Sequence, residues 1–210
     1  MQILDDISAY LQQGRSKNVK ALVTEALEQG IDPQTILNEG LLAGMDIIGE
    51  QFKNNEVYVP EVLVAARAMN IGSAILKPYL MEAGVTAKGT VVIGTVKGDL
   101  HDIGKNLVKM MIESKGLTVI DLGVDVSPEQ FVSATIENGA QIICYSALLT
   151  TTMGEMKNVV EEAKKQGIRD TVKIMVGGAP INQAFCDSIG ADCYTPDAAS
   201  AAGAALAFVA

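Results

Sequence analysis

His101 is the only histidine in a chain of 210 residues, and the segment around it, residues 94–106, is framed by Gly94, Gly98 and Gly104 and carries Asp99, Asp102 and Lys105. A phosphate-binding loop is one chemistry to weigh, because glycine precedes Gly104-Lys105. Five residues instead of four separate Gly98 from Gly104, Asn106 stands where a hydroxyl should meet magnesium, and an imidazole with two carboxylates would crowd a polyphosphate. Metal ligation suits the residue types better. Neutral imidazole binds transition metals, and a carboxylate on its other ring nitrogen fixes the tautomer and raises its basicity. Asp99, two residues away, can supply that carboxylate. A single histidine without a cluster of Cys, His or carboxylates falls short of the three or four protein ligands of a zinc site, so the remaining ligands would have to come from a macrocycle. The alternative is a surface histidine that caps or packs near a helix start.

Composition narrows the partners. The chain is 49% apolar with a formal charge of −9 and no Trp, which suits a globular protein and argues against nucleic acid, whose phosphates attract clustered Lys and Arg. No apolar run approaches the length of about 20 residues that spans a bilayer, and the first residues lack the basic start and apolar middle of a secretory signal, so no membrane partner and a cytoplasmic location are expected. Cys144, Cys186 and Cys193 show no metal-binding spacing and read as reduced packing residues.

Two kinds of pattern then set the architecture. Up to about Tyr79 the apolar residues recur at helical spacing, which predicts four helices in a bundle. Ile3, Ile7 and Leu11 mark the first helix. Ser16 is expected to cap the second, and Asp32-Pro33 opens a third through Ile36, Leu41, Met45, Ile48 and Phe52. The fourth starts at Val59-Pro60-Glu61. Phe52, Val59 and Val62, around the last connection, either staple two helices or form a lid over a flat ligand. The expected division is a helical cap over residues 1–81, a linker over 82–89 and an α/β domain over 90–210. Within the last, strands at 90–96, 117–122, 141–145, 173–176 and 193–195 alternate with helices at 102–115, 128–138, 153–166, 182–189 and 198–208. That is the count of a flavodoxin-like, Rossmann-like parallel sheet with the order 2-1-3-4-5.

Ligands of such sheets bind at the carboxyl ends of the strands, where the order reverses. This rule gathers Val96 and the His101 loop, Ser146, Leu148, Thr150 and Thr152, Gly177, Gly178 and Ala179, and Tyr194 and Thr195. Taken singly, Thr151 or Thr152 could be a helix cap and the glycine pair a tight turn.

Asp99-x-His101-x-x-Gly104, Ser146-x-Leu148 and Gly177-Gly178 together resemble the three-part signature of cobalamin-binding domains. Residues 45–52 and 59–69 resemble the helical cap that precedes this domain in methionine synthase and in the small corrinoid proteins of methanogen and acetogen methyltransferase systems. The resemblance implies a cobalamin or related corrinoid bound base-off/His-on, with His101 as the lower cobalt ligand. It also implies a relay from Asp99 to Thr152, where methionine synthase has serine. Gly104, Ser146, Leu148, Gly177 and Gly178 would accommodate the nucleotide tail, and Val96, Thr150, Ala179, Tyr194 and Thr195 would lie in the same pocket. Phe52, Val59 and Val62 would cover the upper corrin face, although methionine synthase has leucine where Val59 stands. The implied function is a methyl carrier between a substrate-specific corrinoid methyltransferase and an acceptor methyltransferase acting on tetrahydrofolate or coenzyme M, served by a reductive activator of Co(II). A cobalamin-dependent sensor is the alternative.

Overall fold

The computed structural model describes residues 2–83 and 87–210, and the chain divides into two compact units, Met1–Thr86 and Ala87–Ala210. Residues 84–86, inside the expected linker, lie outside the described residues.

Helical spacing of apolar residues produces the first unit. It contains α1 (Gln2–Gln12), α2 (Ser16–Glu28), α3 (Pro33–Thr35), a π-helical stretch (Ile36–Leu42), α4 (Ala43–Lys53) and α5 (Val59–Glu82). Asp32 caps α3 by accepting the Thr35 N–H at 2.9 Å, with Pro33 at the first helical position. Ser16 does not cap α2. It is the first helical residue, Arg15 occupies the cap position, and no side chain bonds the free N–H groups there.

The third helix also departs from the simple pattern, because its first turns widen into a π-helix in which the Ala43 N–H reaches the Asn38 carbonyl. Apolar residues five apart, Ile36 and Leu41, thereby face the same core, and both are fully buried. Gly40 and Gly44 let this helix lie against α1, since a Cβ on either would come within 3.1 Å of Ile7 or Ser8. At 24 residues α5 is long and apolar enough to cross a membrane by length and composition, against the expectation that no run reaches that length. Its Val62, Ala65, Ala66, Met69, Gly72 and Leu76 are buried inside the helical unit, while Leu63, Val64, Tyr79 and Met81 are exposed.

The second unit alternates β1 (Thr90–Thr95), α6 (Ile103–Glu113), β2 (Thr118–Asp121), α7 (Pro128–Asn138), β3 (Ile142–Ser146), a 3-10 turn (Thr150–Thr152), α8 (Met153–Lys165), β4 (Lys173–Gly177), α9 (Gln183–Ile189), β5 (Cys193–Tyr194) and α10 (Ala198–Val209). All strands are parallel in the order β2-β1-β3-β4-β5, as the alternation predicts. Helices on both faces bury β1 and β3 on each side, which is why these strands read as nearly continuous apolar runs.

Local signals set the helix ends. Ser127 and Gln130 bond each other's backbone N–H groups at the start of α7, Asn182 and Asp197 cap α9 and α10, and Gly139 and Gly190 end α7 and α9 in the left-handed conformation. Cys144 and Cys186 are buried free thiols, and Cys193 is half-buried. Burial pushes the Cys144 thiol up to about 12 and the Cys186 thiol up to about 11, in keeping with packing roles.

Phe131 and Tyr145 pack with ring centroids 5.5 Å apart, and the Tyr145 hydroxyl donates to the Met156 carbonyl at 3.0 Å. Gly94 of β1 sits under this pair, where a Cβ would stand 2.8 Å from the Phe131 ring and 3.2 Å from Val126. The ring is fully buried and has little room to give. Gly94→Ala should therefore lower the unfolding free energy by about 1–3 kcal/mol through overpacking, measured by urea denaturation.

Candidate functional site

The order reversal puts the carboxyl ends of β1 and β3 side by side, with Thr95 in register with Ser146. Beyond it the Val96 N–H donates to the Ser146 carbonyl at 3.1 Å, and the Asp99 N–H turns back to the Val96 carbonyl at 3.1 Å. Gly98 makes this reversal at φ +80, a conformation that side chains rarely adopt. The Thr95 hydroxyl then donates to the His101 carbonyl at 2.8 Å and lies 3.2 Å from the Ser146 hydroxyl. After His101 the chain enters α6, whose Lys105 points into the protein.

Lys105 answers the phosphate-loop question. Its side chain is 2% exposed and donates to both carboxylate oxygens of Asp121, at the end of β2, at 2.6 and 2.8 Å. Burial alone would raise the Asp121 carboxyl, but the Lys105 bond and then the Gly123 N–H hold it below the usual range. This ammonium fastens α6 to β2 and is not presented to a ligand.

Asp99 is the centre of the site. Its side chain has no solvent-exposed surface. Oδ1 accepts the His101 ring Nδ1 at 2.7 Å and the His101 backbone N–H at 3.1 Å. Oδ2 accepts the Leu148 N–H at 2.7 Å, the Leu149 N–H at 3.1 Å and the Thr152 hydroxyl at 3.0 Å. Burial raises the carboxyl, but the His101 ring and the N–H groups of Leu148, His101 and Leu149 outweigh it and hold Asp99 far below the usual carboxylate range. An ionised Asp99 can only accept, so Nδ1 carries a proton, and in the neutral ring the lone pair is then on Nε2. The His101 side chain is 51% exposed, and among the described residues Nε2 has no hydrogen-bond partner.

The hydroxyl-rich loop is more than a helix cap. Thr152 stands at the cap position of α8 but makes no side-chain cap bond, and its hydroxyl faces Asp99 and the Leu149 carbonyl at 2.9 Å. Gly178 has a reason within the chain: at φ +129, any Cβ would collide with the Ala147 carbonyl. The β4 loop is thereby pressed against the loop that supplies the Leu148 and Leu149 N–H groups, and the Ala147 N–H donates to the Gly177 carbonyl at 3.2 Å. Gly104 differs, because no protein atom lies within 4 Å of its would-be Cβ.

The remaining expected residues divide by exposure. Leu148, Thr150, Gly178 and Ala179 are exposed at the rim, and Ser146, Gly177, Tyr194 and Thr195 are half-buried along it. Val96 is fully buried in the core and offers its backbone only. In the helical unit Phe52 and Val59 are half-buried and Val62 is fully buried. Sequence reasoning missed Thr95 and Leu149, which hold His101 and Asp99, and also Leu100 and Ile103. These last two are 71% and 78% exposed beside His101, and their break from the buried pattern was a readable signal.

No group of three or more His, Cys, Asp or Glu able to hold a metal ion occurs among the described residues. One imidazole nitrogen with a free lone pair, set among exposed Leu100, Ile103 and Leu148, fits a metal that brings its own apolar macrocycle and needs one axial ligand.

Comparison with known proteins identifies the family. Residues 89–206 and 3–77 match two families, each described as a B12 binding domain. The chain is 48% identical over 172 residues to trimethylamine corrinoid protein 1 of Methanosarcina acetivorans, covering 81% of this chain and 80% of the relative. It is 41% identical over 201 residues to the dimethylamine corrinoid protein of Methanosarcina barkeri, covering 95% and 94%. In the crystal structure of the methanol:cobalamin methyltransferase complex of Methanosarcina barkeri, one chain matches with a TM-score of 0.88 and 30% identity over 99% of this chain and 80% of that one.

The depressed Asp99 carboxyl has a signed consequence. A group held below its ordinary value of 3.8 stabilises the fold fully above that value, and the contribution is lost as pH falls toward the folded-state value. Asp99→Asn should lower the unfolding free energy at pH 7 by about 1.5–3 kcal/mol, and its deficit against the native chain should shrink when the pH is taken below about 4. Denaturant titrations at pH 7 and pH 3 measure both.

Proposed function

The chain belongs to the B12-binding family of corrinoid proteins, and from that premise we propose how its own residues make it the methyl-carrying protein of a methyltransferase system. The bound corrinoid supplies a cobalt centre that takes up a methyl group and hands it on. The observation that carries the reading is the Asp99–His101 pair, a buried carboxylate fixing Nδ1 as donor and leaving Nε2 exposed.

His101 would be the protein's ligand to the cobalt of a bound corrinoid, offered through Nε2 in the base-off/His-on form, and its half-exposed side chain would be free to bind and release. Asp99 raises imidazole basicity when the ring binds. Thr152 has one hydroxyl proton and two acceptors, Asp99 and the Leu149 carbonyl, so it can adjust its donation to the charge on the pair. Threonine in place of serine keeps this hydroxyl.

Gly104 has no steric reason within the chain, which supports its role as clearance for the nucleotide tail. Ser146, Leu148, Gly177 and Gly178 would line the tail's path along the carboxyl ends of the strands, with Thr150, Ala179, Tyr194 and Thr195 in the same pocket. We assign residues 1–81 as a helical unit that offers Phe52 and Val59 to the corrin, with residues 82–89 as the linker. Val62, fully buried, supports that surface from beneath. A cytoplasmic carrier of this kind works with a substrate-specific methyltransferase, an acceptor methyltransferase and a reductive activator. Trimethylamine and dimethylamine corrinoid proteins are among the curated relatives, which favours a methylated amine as donor over methanol.

The test is spectroscopic. His101→Ala should still take up corrinoid through its tail but lose the absorption signature of imidazole ligation, and methyl transfer from a cognate methyltransferase should fall about 10–100-fold, as when a metal site loses ligand support. An unchanged spectrum would remove His101 from the cobalt.

A further inference from the structure

Asp125, in the loop between β2 and α7, has φ +55, in the left-handed region that residues other than glycine rarely occupy. Its polar groups are both directed at the histidine turn. The Asp125 carboxylate accepts the Gly98 N–H at 2.7 Å, and the Asp125 N–H donates to the Asp99 carbonyl at 3.0 Å. The two-residue segment Gly98–Asp99 is therefore held by one residue at the N–H of its first member and the carbonyl of its second.

That residue stands on a frame of its own. The Gly123 N–H donates to the Asp121 carboxylate at 2.9 Å, the Thr95 N–H to the Gly123 carbonyl at 2.9 Å, and the Val126 N–H to the Thr95 carbonyl at 3.0 Å. Regular pairing of β1 with β2 has already ended at Ile93 and Asp121, so the Asp125 bonds are additional to the sheet. They also differ in kind from the bonds on the Asp99 side chain. Leu148, Leu149 and Thr152 tie the carboxylate to the loop after β3, whereas Asp125 ties the Asp99 backbone to the loop after β2. The Val96 carbonyl and the Thr95 hydroxyl already hold the Asp99 N–H and the His101 carbonyl, and the Asp125 bonds add a hold on the Gly98 N–H and the Asp99 carbonyl that these leave free.

We propose that Asp125 is a positioning residue for His101, clamping the segment from the Gly98 N–H to the Asp99 carbonyl so that the Asp99 carboxylate meets Nδ1 and Nε2 faces outward as the ligating nitrogen. This rests on the reading of His101 as the axial ligand. Asp125→Gly is the informative change, because glycine adopts this φ freely and retains the backbone N–H, removing the carboxylate alone. Asp125→Asn keeps an oxygen for the Gly98 N–H and tolerates the same backbone.

Because the chain has one histidine, labelling with 15N-histidine gives an NMR signal from His101 only. In the cofactor-free native protein the neutral ring should be almost wholly the Nδ1–H tautomer. Asp125→Gly should shift it toward a mixture of tautomers, with Asp125→Asn in between. In the corrinoid-loaded protein the equilibrium constant for imidazole ligation should fall about tenfold in Asp125→Gly, the lower end of what loss of an outer partner costs a metal site. The proposal is overturned if Asp125→Gly folds and its Gly98 amide signal, read from a uniformly 15N-labelled sample, moves while the ring nitrogens and the ligation spectrum stay native. Should the glycine variant not fold, Asp125→Asn decides: Gly98 and His101 signals moving together support the clamp, and Gly98 moving alone overturns it. If the native protein binds corrinoid without imidazole ligation, the axial-ligand reading fails, and the tautomer comparison in the cofactor-free protein still tests Asp125.

Discussion

One buried carboxylate organises this site. Asp99 joins the turn after β1 to the loop after β3 and to the histidine ring, and none of these bonds would be strong without its charge. Leaving a carboxylate without solvent contact is costly unless its lone pairs are satisfied. Here backbone N–H groups, a hydroxyl and an imidazole satisfy them together. The ionised state is thus fixed by the fold, and with it the tautomer of His101.

The parallel sheet makes this convergence possible. With β1 beside β3, the turn bearing Asp99 and the loop bearing Leu148, Leu149 and Thr152 emerge at one edge. Gly98 supplies the reversal, and Gly178 lets the β4 loop back the β3 loop without a collision at Ala147. Lys105 and Asp121 fasten the far side of the turn to β2. The result is a single exposed ring nitrogen on a rigid mount, which suits a cofactor that brings every other ligand to its metal.

Much of this was legible in the sequence, because strands and helices of an α/β unit announce themselves by a local change of period. The five strands and their order follow from it, and the order brings His101 and Thr152 to the same edge. Asp99 as the partner of His101 could be read from a two-residue spacing. Other features depend on neighbours that are distant in sequence. The π-helical stretch brings Ile36 and Leu41 to one core, and the Lys105–Asp121 pair joins the start of α6 to the end of β2. The fate of Ser16 was decided by which residue the helix started on. Asp125 carries no signal of its left-handed backbone, since aspartate is common in loops and its two bonds exist only after β2 lies beside β1. Gly178 was read as room for a ligand, and the Ala147 carbonyl gives the position a reason for glycine that depends on the packed β3 loop.

The central claim is that His101 Nε2 binds cobalt below the corrin, and the solitary histidine makes it directly testable. The corrinoid-loaded protein, reduced to Co(II), should be examined by electron paramagnetic resonance with 14N-histidine and with 15N-histidine in otherwise unlabelled chains. Ligation by His101 predicts that the nitrogen splitting of each cobalt line changes from a triplet to a doublet on labelling. A triplet that survives labelling would assign the lower nitrogen to the cofactor's own base, and no nitrogen splitting would leave cobalt without that ligand; either result would contradict the account.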